Sequence, residues 1–441
     1  MTGRADVIMI SGRGLFAAVA IWLSGAAAHP QPPQPSVELE FSGFARVRAE
    51  TLGAHYRAGM NGSDQLLSTQ LFLRGEARLE SVTLVGELID ARGYLQDDGS
   101  VISSSAYNAA DIFQLYAEAQ VSSQLTAKIG RFTMPLGSGR LSDASSFSNM
   151  PANFEGVRLQ LDIDENWRAI GFFTAPVIRD PADRQALADN RMGLDYADWH
   201  TRFYGAHLSR NGLPHGLRAE AYVFALDENG GARLVTPGVR LRRPPQEGQY
   251  DFDAELMLQT GHTIIGATRR DVSAAAFQAN TGYTFERENP VRLSAHLSYA
   301  SGDRQRSADW NRFDPLFGGR GSDYGHTGLF GPIARENLIS YGARAEWSNG
   351  PVRARLVAHD VHLASRTDSW ERARLRDGSG NSGRHIGQVI DTRIQWDAVP
   401  ERLTVEWGAA ALIKGDFARH APGAPDTGNS LYSYLSLSTR F

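Results

Sequence analysis

Apolar and polar side chains alternate with a period of two along most of this chain. In FSGFARVRAE, residues 41–50, Phe41 and Val47 share one face while Arg46 and Arg48 share the other. The same alternation recurs at 217–225, 291–300 and 431–441. Successive side chains of a β-strand point to opposite faces, so the pattern predicts strands with one apolar and one polar face. No helical period occurs after residue 36, which indicates an all-β chain.

The alternating segments number eighteen, and the connections between them are alternately short and long. Short connections, such as 80–81 and 211–216, are followed by segments rich in Gly, Asp and Asn, the longest at 301–337. Tight turns on one rim and long loops on the other are typical of an up-and-down barrel in an outer membrane. The even strand number predicts that both termini are periplasmic. The predicted strands are 41–50, 68–79, 82–91, 111–121, 125–132, 157–163, 167–175, 200–210, 217–226, 236–242, 250–261, 273–286, 291–300, 338–348, 352–363, 387–398, 403–412 and 430–441.

The charges on the polar faces decide between a membrane barrel and a soluble fold. A soluble sandwich or propeller would also alternate, but a propeller needs a fixed repeat, and none is present. Nearly every predicted strand carries a charged residue, which suits a polar lumen. Lipid offers no hydrogen bonds, so a spanning sheet must close on itself, and eighteen strands leave a water-filled channel. We therefore predict a transmembrane antiparallel β-barrel of about 18 strands.

Composition excludes several other classes of protein. The chain has 441 residues, no cysteine and a net charge of −4. The absence of cysteine excludes a disulfide framework and thiol chemistry. The acidic balance argues against a nucleic-acid partner. No segment after the N-terminal region approaches the roughly 18 apolar residues that a spanning helix requires.

The N-terminal segment has the features of a secretory signal peptide. Arg4 and Arg13 precede an apolar run at 15–23, and small residues follow at 24–28. A basic region, a short apolar core and an A-x-A site predict cleavage after Ala28. The predicted organisation is a signal peptide at 1–28, a Pro/Gln-rich leader at 29–36 and a barrel at 37–441, located in the outer membrane of a Gram-negative cell.

The sequence ends on an aromatic residue, Phe441, in register with the last alternating segment. An alternating final strand with a terminal aromatic is the sorting mark of outer-membrane barrels. We expect Phe441 to be recognised by the barrel-insertion machinery, and we expect the apolar exterior to contact outer-membrane lipid.

Several stretches resemble the alginate-export family of outer-membrane channels. The resemblance is carried by SGDRQRSADWNRFDPLFGG at 301–319, GRHIGQVIDTRIQW at 383–396, IGRFTMPLGSGRL at 129–141 and LIKGDFARH at 412–420. It extends from about Ser36 to Phe441. It implies an eighteen-stranded barrel, in agreement with the strand count, that passes a polyuronate through an arginine-lined pore to the cell surface.

Arginines on the polar faces are the candidates for such a pore lining, because guanidinium matches carboxylate in a forked geometry and stays charged. These are Arg46, Arg48, Arg74, Arg78, Arg158, Arg344, Arg353, Arg355 and Arg393. Interleaved acids would hold them in place: Glu76, Glu118, Glu346 and Asp391. The alternative is that these charges are structural cross-strand pairs that stabilise any large barrel.

The favoured function is passive export of an anionic, alginate-like polysaccharide, with a periplasmic delivery protein as a candidate partner. The alternatives are an uptake porin for small anions, and a structural or enzymatic barrel. No catalytic residue, metal site or cofactor is predicted. His359 and His362 are three apart on a strand, so they point to opposite faces and cannot share an ion. The aromatic-rich loop 301–337 is open to two interpretations, a plug inside the lumen or a flap outside it.

Overall fold

The computed structural model describes residues 37–60, 62–97, 100–104, 106–145, 147–325 and 328–441. The predicted signal peptide (1–28) and leader (29–36) lie outside the described residues. None of the helices in the described part of the chain is long and apolar enough to cross a membrane.

Eighteen antiparallel strands form a closed barrel, which confirms the predicted fold. Each strand pairs with the next in sequence, and the last pairs with the first, with Val47 opposite Leu437. The strands are β1 Glu38–Gly53, β2 Asp64–Arg78, β3 Val82–Tyr94, β4 Asn108–Gln120, β5 Leu125–Phe132, β6 Phe154–Asp162, β7 Trp167–Ile178, β8 Thr201–Leu213, β9 Leu217–Glu228, β10 Arg233–Arg243, β11 Tyr250–Ile265, β12 Thr268–Phe285, β13 Val291–Ala300, β14 Leu338–Asn349, β15 Val352–His362, β16 His385–Val399, β17 Leu403–Lys414 and β18 Ser430–Arg440.

The apolar face of each strand points outward. In β18, Leu431 and Leu435 expose 63% and 49% of their surface, whereas Tyr432 and Tyr434 each expose 3%. Since the sheet is closed, the buried face is the lumen and the exposed face is the exterior. The alternation in the sequence therefore corresponds to an apolar exterior and a mostly polar interior.

The connections separate into two rims. The short-turn rim has tight turns such as 79–81, 163–166 and 350–351. The long-loop rim carries the long segments, among them 133–153, 179–200, 301–337, 363–384 and 415–429, together with two short hairpins at 229–232 and 266–267. These loops contain short helices at Arg184–Ala188, Gly321–Tyr324 and Asp416–His420, the 3-10 turn Glu371–Ala373, a two-residue strand pair at Ser369–Trp370 and Leu375–Arg376, and a bridge strand Tyr196–Ala197. A second 3-10 turn, Pro214–Gly216, lies on the short-turn rim.

Part of the lumen is filled by aromatic side chains. Phe154 and Phe203 lie 5.7 Å apart between ring centroids, and Phe317 from the segment 301–337 lies 5.0 Å from Phe203. Phe172 and Phe224 are 5.5 Å apart. At their long-loop ends, the strands β6 to β9 are consequently apolar on the inner face as well as on the outer one.

The chain terminus continues the pairing at the barrel seam. Gly43 N–H donates to the Phe441 carbonyl at 2.7 Å, and Phe441 N–H donates to the Gly43 carbonyl at 3.1 Å. The Phe441 ring lies over Gly43, where an added Cβ would be 2.3 Å from it. Phe441 is thus the last paired residue of the closing strand. Its recognition by insertion machinery stays a prediction.

Gly130 lies in the ladder between β4 and β5, where there is no room for a side chain. Gly130 on β5 has φ +124°, and a Cβ there would lie 2.3 Å from the Leu115 carbonyl oxygen of β4. We expect Gly130→Ala to destabilise the barrel by about 1–3 kcal/mol through backbone strain. The measurement is the unfolding temperature of the detergent-solubilised barrel, followed by heat-dependent gel mobility.

The matched control is Gly86→Ala on β3, where an added Cβ meets nothing within 4 Å. Gly86→Ala should leave the unfolding temperature unchanged. Equal unfolding temperatures for the two variants would contradict the backbone strain expected from a side chain at position 130.

Candidate functional site

The segment 301–337, called here the inward loop, folds into the lumen. Arg344, a lumen residue of β14, donates from Nη2 to the Asp323 carbonyl oxygen at 3.2 Å. On a distant strand, β1, the Glu50 carboxylate accepts a hydrogen bond from Leu329 N–H at 2.9 Å. Contacts to both β1 and β14 place this loop across the interior, which decides the question that the sequence left open in favour of a plug.

A buried ion network anchors the inward loop. Arg140 donates to both carboxylate oxygens of Asp323, from Nε at 2.9 Å and from Nη2 at 3.0 Å. Arg335 Nη2 donates to the same carboxylate at 2.6 Å. Arg140 Nη1 also donates to Glu255 of β11 at 2.6 Å. The network therefore ties two long loops to the barrel wall.

The electrostatics of the anchor favour the ionised carboxylate. Burial alone would raise the pKa of Asp323, but Arg140, Arg335 and Arg344 outweigh burial and hold that pKa well below its usual value. A buried charge that is paired and hydrogen-bonded on both oxygens is stable, whereas removing one partner leaves the others uncompensated.

Six of the nine arginines predicted to line the pore form ion pairs with carboxylates. The pairs are Arg48–Glu50 (2.8 Å), Arg74–Glu76 (2.6 Å), Arg78–Glu40 (2.8 Å), Arg353–Asp397 (2.6 Å), Arg355–Asp391 (2.9 Å) and Arg393–Glu406 (3.8 Å). Three other predicted arginines hydrogen-bond to neutral groups: Arg46 to Ser148 O (3.0 Å), Arg158 to Gln160 Oε1 (2.8 Å) and Arg344 to Ser322 O (3.0 Å). Four of these six pairs join neighbouring strands, and two, Arg48–Glu50 and Arg74–Glu76, lie within one strand.

The four predicted acids all hold cations. Glu76 binds Arg78 at 3.0 Å as well as Arg74, and Asp391 binds Arg355. The other two have partners that the sequence did not suggest, since Glu118 binds Lys128 at 2.9 Å and Glu346 binds Arg292 at 2.6 Å. Their role in transport stays a prediction.

Three of the predicted arginines converge on a cavity near the short-turn rim. Arg353, Arg355 and Arg393 line a space of about 360 Å³, together with Glu346 and Arg292. Arg292 and Arg355 each have an ion-pair partner there, so this cavity is polar but largely neutralised.

A second cavity of about 410 Å³ lies on the long-loop side of the lumen and holds a cluster of arginines. Five arginines and two glutamates line it: Arg48, Arg57, Arg320, Arg372, Arg374, Glu50 and Glu371. We call Arg57, Arg320, Arg372 and Arg374 the loop arginines. Among the described residues, none of these four has a carboxylate within ion-pair distance.

Three of the loop arginines, Arg57, Arg320 and Arg372, are held by backbone carbonyls instead. Arg320 Nη1 and Arg372 Nε both donate to the Gly331 carbonyl oxygen, at 3.2 Å and 2.9 Å. Arg57 Nη2 donates to Leu329 O at 2.9 Å and also to Phe330 O, while its Nη1 is buried without a partner. The guanidinium groups are therefore fixed in position with unused donor capacity.

Burial and the repulsion between neighbouring guanidinium groups lower the pKa of two of the loop arginines. Burial, followed by the charges of Arg372 and Arg57, lowers the pKa of Arg320 to about 9. Burial, with the charges of Arg372 and Arg374, also lowers the pKa of Arg57. Cations that are desolvated and repel one another are stabilised by an anion placed between them. The arrangement can bind a carboxylate or another anion.

The loop arginines were missed by the sequence reasoning, which considered only alternating strand positions. They lie on three separate loops, so no local period links them. The one available signal was the suggestion that 301–337 could fold inward, because that loop carries Arg320.

The chain matches a known family and a set of solved barrels. The family model described as alginate export matches residues 37–429. No protein with a curated description matches the chain.

Solved barrels from two organisms share the fold at low identity. Acinetobacter baumannii OccAB1 is 11% identical, with a TM-score of 0.60 over 91% of this chain and 96% of that one. The Pseudomonas aeruginosa outer-membrane protein OpdK is 12% identical, with a TM-score of 0.59 over 91% and 99%. P. aeruginosa OccK2 (OpdF), solved in complex with glucuronate, is 12% identical, with a TM-score of 0.57 over 92% and 98%.

The buried anchor predicts a conductance phenotype. Asp323→Asn removes the carboxylate that pairs with Arg335 and one of the three carboxylates that pair with Arg140, and breaking a buried pair costs about 3–5 kcal/mol. We expect the inward loop to leave the lumen and the single-channel conductance in planar bilayers to increase. Asp309→Asn is the control, because Asp309 is an exposed residue of the same loop and forms no ion pair within the described chain.

The pH dependence of the wild type follows from the same pair. Because the pKa of Asp323 is lowered on folding, its stabilisation is complete above the unfolded value of about 3.9 and is lost only as the pH falls further. The anchor should therefore hold from neutral pH down to about pH 4.

Equal conductance for Asp323→Asn and wild type would contradict the anchoring role.

Proposed function

This chain belongs to the alginate export family, and from that premise we propose that it conducts anionic saccharides across the outer membrane. It is an outer-membrane β-barrel channel. The proposal extends this to the substrate, an acidic sugar or a chain of such sugars, and to the orientation, with the short-turn rim and both termini on the periplasmic side. Transport is passive diffusion without chemical conversion.

The observation that carries the proposal is the set of loop arginines in the 410 Å³ cavity. Five arginines against two glutamates leave an excess of positive charge, and Glu371 is already paired with Arg312. A carboxylate accepts two parallel hydrogen bonds from a guanidinium, so several fixed guanidinium groups suit an acidic sugar. The cavity volume falls in the range of about 300–1,000 Å³ that is usual for small-molecule sites.

The similarity to solved barrels supports a uronate as the ligand class. OccK2 was solved with glucuronate and OpdK with vanillate, and both compounds carry a carboxylate. A barrel of this architecture thus accommodates compounds of that charge and size in those proteins. The present chain offers its own arginines for the same chemistry.

Passage requires more than one site, and each site has to be weak. The cavity near the long-loop rim is strongly basic, whereas the cavity near the short-turn rim has most of its arginines paired with acids. An anion would be attracted by the first and held only loosely by the second. Such a gradient of paired and unpaired arginines keeps a substrate moving.

The inward loop favours a second candidate, which is uptake of small anions. Its anchored position across the lumen narrows the path, as shown by the contacts to Glu50 and Arg344 on distant strands. A narrow path suits a monosaccharide or short oligosaccharide better than a polymer. Block of conductance by monomeric glucuronate but not by polyuronate would favour this candidate.

We also propose the partners expected from the sequence. The exposed leucines of the exterior would contact outer-membrane lipid, and the paired terminal Phe441 would be read by the insertion machinery. For a polymer, a periplasmic protein would deliver the chain to the short-turn rim.

The loop arginines predict an anion-selectivity phenotype. Replacing Arg372 by Gln removes one positive charge and the paired N–H donors of its guanidinium group. A charge-assisted hydrogen bond contributes about 1.5–3 kcal/mol, which corresponds to roughly tenfold or more in affinity. We expect weaker anion selectivity, measured by reversal potential, and about tenfold weaker block of conductance by glucuronate. Arg320→Gln should act in the same direction.

Arg366→Gln is the matched control, because Arg366 is an exposed arginine of the loop 363–384 that carries Arg372 and does not line the cavity. It should leave both measurements unchanged. If Arg372→Gln and Arg320→Gln both kept wild-type selectivity, the loop arginines would not be the anion site.

Glu336 is a titratable group near the loop arginines that gives selectivity a pH dependence. Burial, and then the charge of Glu371, raises the pKa of Glu336 to about 7, with Asp314 acting in the same sense and Arg312 and Arg372 opposing it. Glu336 is therefore protonated as the pH falls through about 7. We expect anion selectivity to be stronger at pH 6 than at pH 8, because a negative charge beside Arg372 is lost.

Glu336→Gln removes the titrating group while keeping its size. This variant should show the acidic-pH selectivity at both pH values. An unaltered difference between pH 6 and pH 8 in Glu336→Gln would assign the effect to another group.

A further inference from the structure

Three side chains that can bind a metal meet on the outer surface of the barrel at the long-loop rim. His362 Nε2 lies 3.2 Å from Asp360 Oδ1, and His385 Nε2 lies 2.9 Å from the same oxygen. One donor atom from each residue lies within 4.8 Å of the other two. All three side chains are partly exposed, so the space beside them is not filled by other protein atoms.

The strand geometry puts these residues on one face. Asp360 and His362 are two apart on β15, so both point away from the lumen. His385 is the first residue of β16 and lies directly opposite His362. His359, by contrast, points into the lumen and is hydrogen-bonded to His296 at 2.7 Å. The partner of His362 is thus a residue from the next strand, which spacing along one strand could not indicate.

A β-bulge aims His385 outward. The register runs from Val361 opposite Gly387 to His362 opposite His385, and it skips Ile386. Ile386 is buried on the inner side. In a regular strand the two would exchange faces, and His385 would enter the lumen. Gly387 permits the bulge, because its φ is +143° and a Cβ would lie 2.1 Å from the Ile413 carbonyl oxygen.

A neighbouring tyrosine holds the carboxylate and one imidazole in place. Tyr341 Oη lies 3.4 Å from Asp360 Oδ2, which leaves Oδ1 directed at the two histidines. The Tyr341 ring stacks on His362 with centroids 5.9 Å apart, and His362 stacks on His385 at 4.8 Å. Such outer contacts orient metal ligands and limit their motion.

We propose that Asp360, His362 and His385 form a binding site for a divalent transition-metal ion of the zinc class. Two imidazole nitrogens and one carboxylate oxygen are a usual donor set for Zn²⁺, with water in the fourth position. Ligand atoms around tetrahedral zinc are about 3.3 Å apart, given bonds of about 2.0–2.2 Å. The observed separations of 2.9 and 3.2 Å from the shared carboxylate oxygen are close to this value, and the histidine donors lie within 4.8 Å of each other.

The bound ion would cross-link β15 and β16 at the root of the loop that joins them. That loop, 363–384, carries Arg372 and Arg374, which line the basic cavity inside the barrel. The ion itself lies outside the lumen and does not touch the transported solute. Its effect is to fix the base of the loop.

The test uses full-length barrel purified in detergent without a histidine tag and freed of metal with a chelator. Zn²⁺ is titrated by isothermal calorimetry, and the unfolding temperature is measured with and without Zn²⁺. We expect one ion per barrel and a higher unfolding temperature with Zn²⁺. His385→Ala and Asp360→Asn should each weaken binding at least about tenfold, since even second-sphere partners of a metal site contribute that much.

His200→Ala is the matched control. His200 is exposed and lies 3.3 Å from Asp198, so it is a histidine–aspartate pair on another loop that lacks a third ligand. It should retain wild-type Zn²⁺ binding. Wild-type binding in His385→Ala, loss of binding in His200→Ala, or no binding of Zn²⁺ by the wild type would each overturn the proposal. Gel mobility of the unheated variants establishes that each barrel is folded.

Discussion

Closure of the hydrogen-bonded sheet is the constraint on which this structure depends. In lipid a backbone N–H or C=O has no partner except another strand, so all eighteen strands must pair on both sides. The pairing of β1 with β18, continued by Gly43 and Phe441, completes that requirement. Once the cylinder is closed, the alternation along each strand assigns apolar side chains to lipid and charged ones to the interior, and every later feature is built on that polar wall.

The interior is organised by two kinds of arginine. Those on the strands are mostly neutralised by acids on the same or neighbouring strands, and they hold the wall in shape, as Arg355 does with Asp391. Among the loop arginines, Arg57, Arg320 and Arg372 are fixed by carbonyl oxygens and have no carboxylate within ion-pair distance in the described part of the chain, as Arg372 shows at Gly331. The buried anchor formed by Asp323, Arg140 and Arg335 brings the second kind into the lumen. We therefore propose that selectivity depends on how the loops are held.

Strand number, strand order and face assignment could be predicted from the sequence because they follow from a local period of two. Strand ends could not, since β12 begins with the polar stretch Thr268–Asp271, beyond the reach of the alternating pattern. The buried anchor could not be predicted, because Arg140 and Asp323 are 183 residues apart and only the folded loops bring them together. The basic cavity could not be predicted either, because its loop arginines come from three separate loops. The His362–His385 pair required a bulge at Gly387, which reverses the expected face of His385.

The aromatic side chains inside β6 to β9 have a consequence for the shape of the conducting path. Phe172, Phe203 and Phe224 occupy that part of the wall, and Phe317 covers them from the inward loop. These rings pack against one another and fill that sector of the lumen, so a solute has to pass beside it. The bore of the barrel is therefore asymmetric and smaller than a wall of eighteen strands would leave if it were empty.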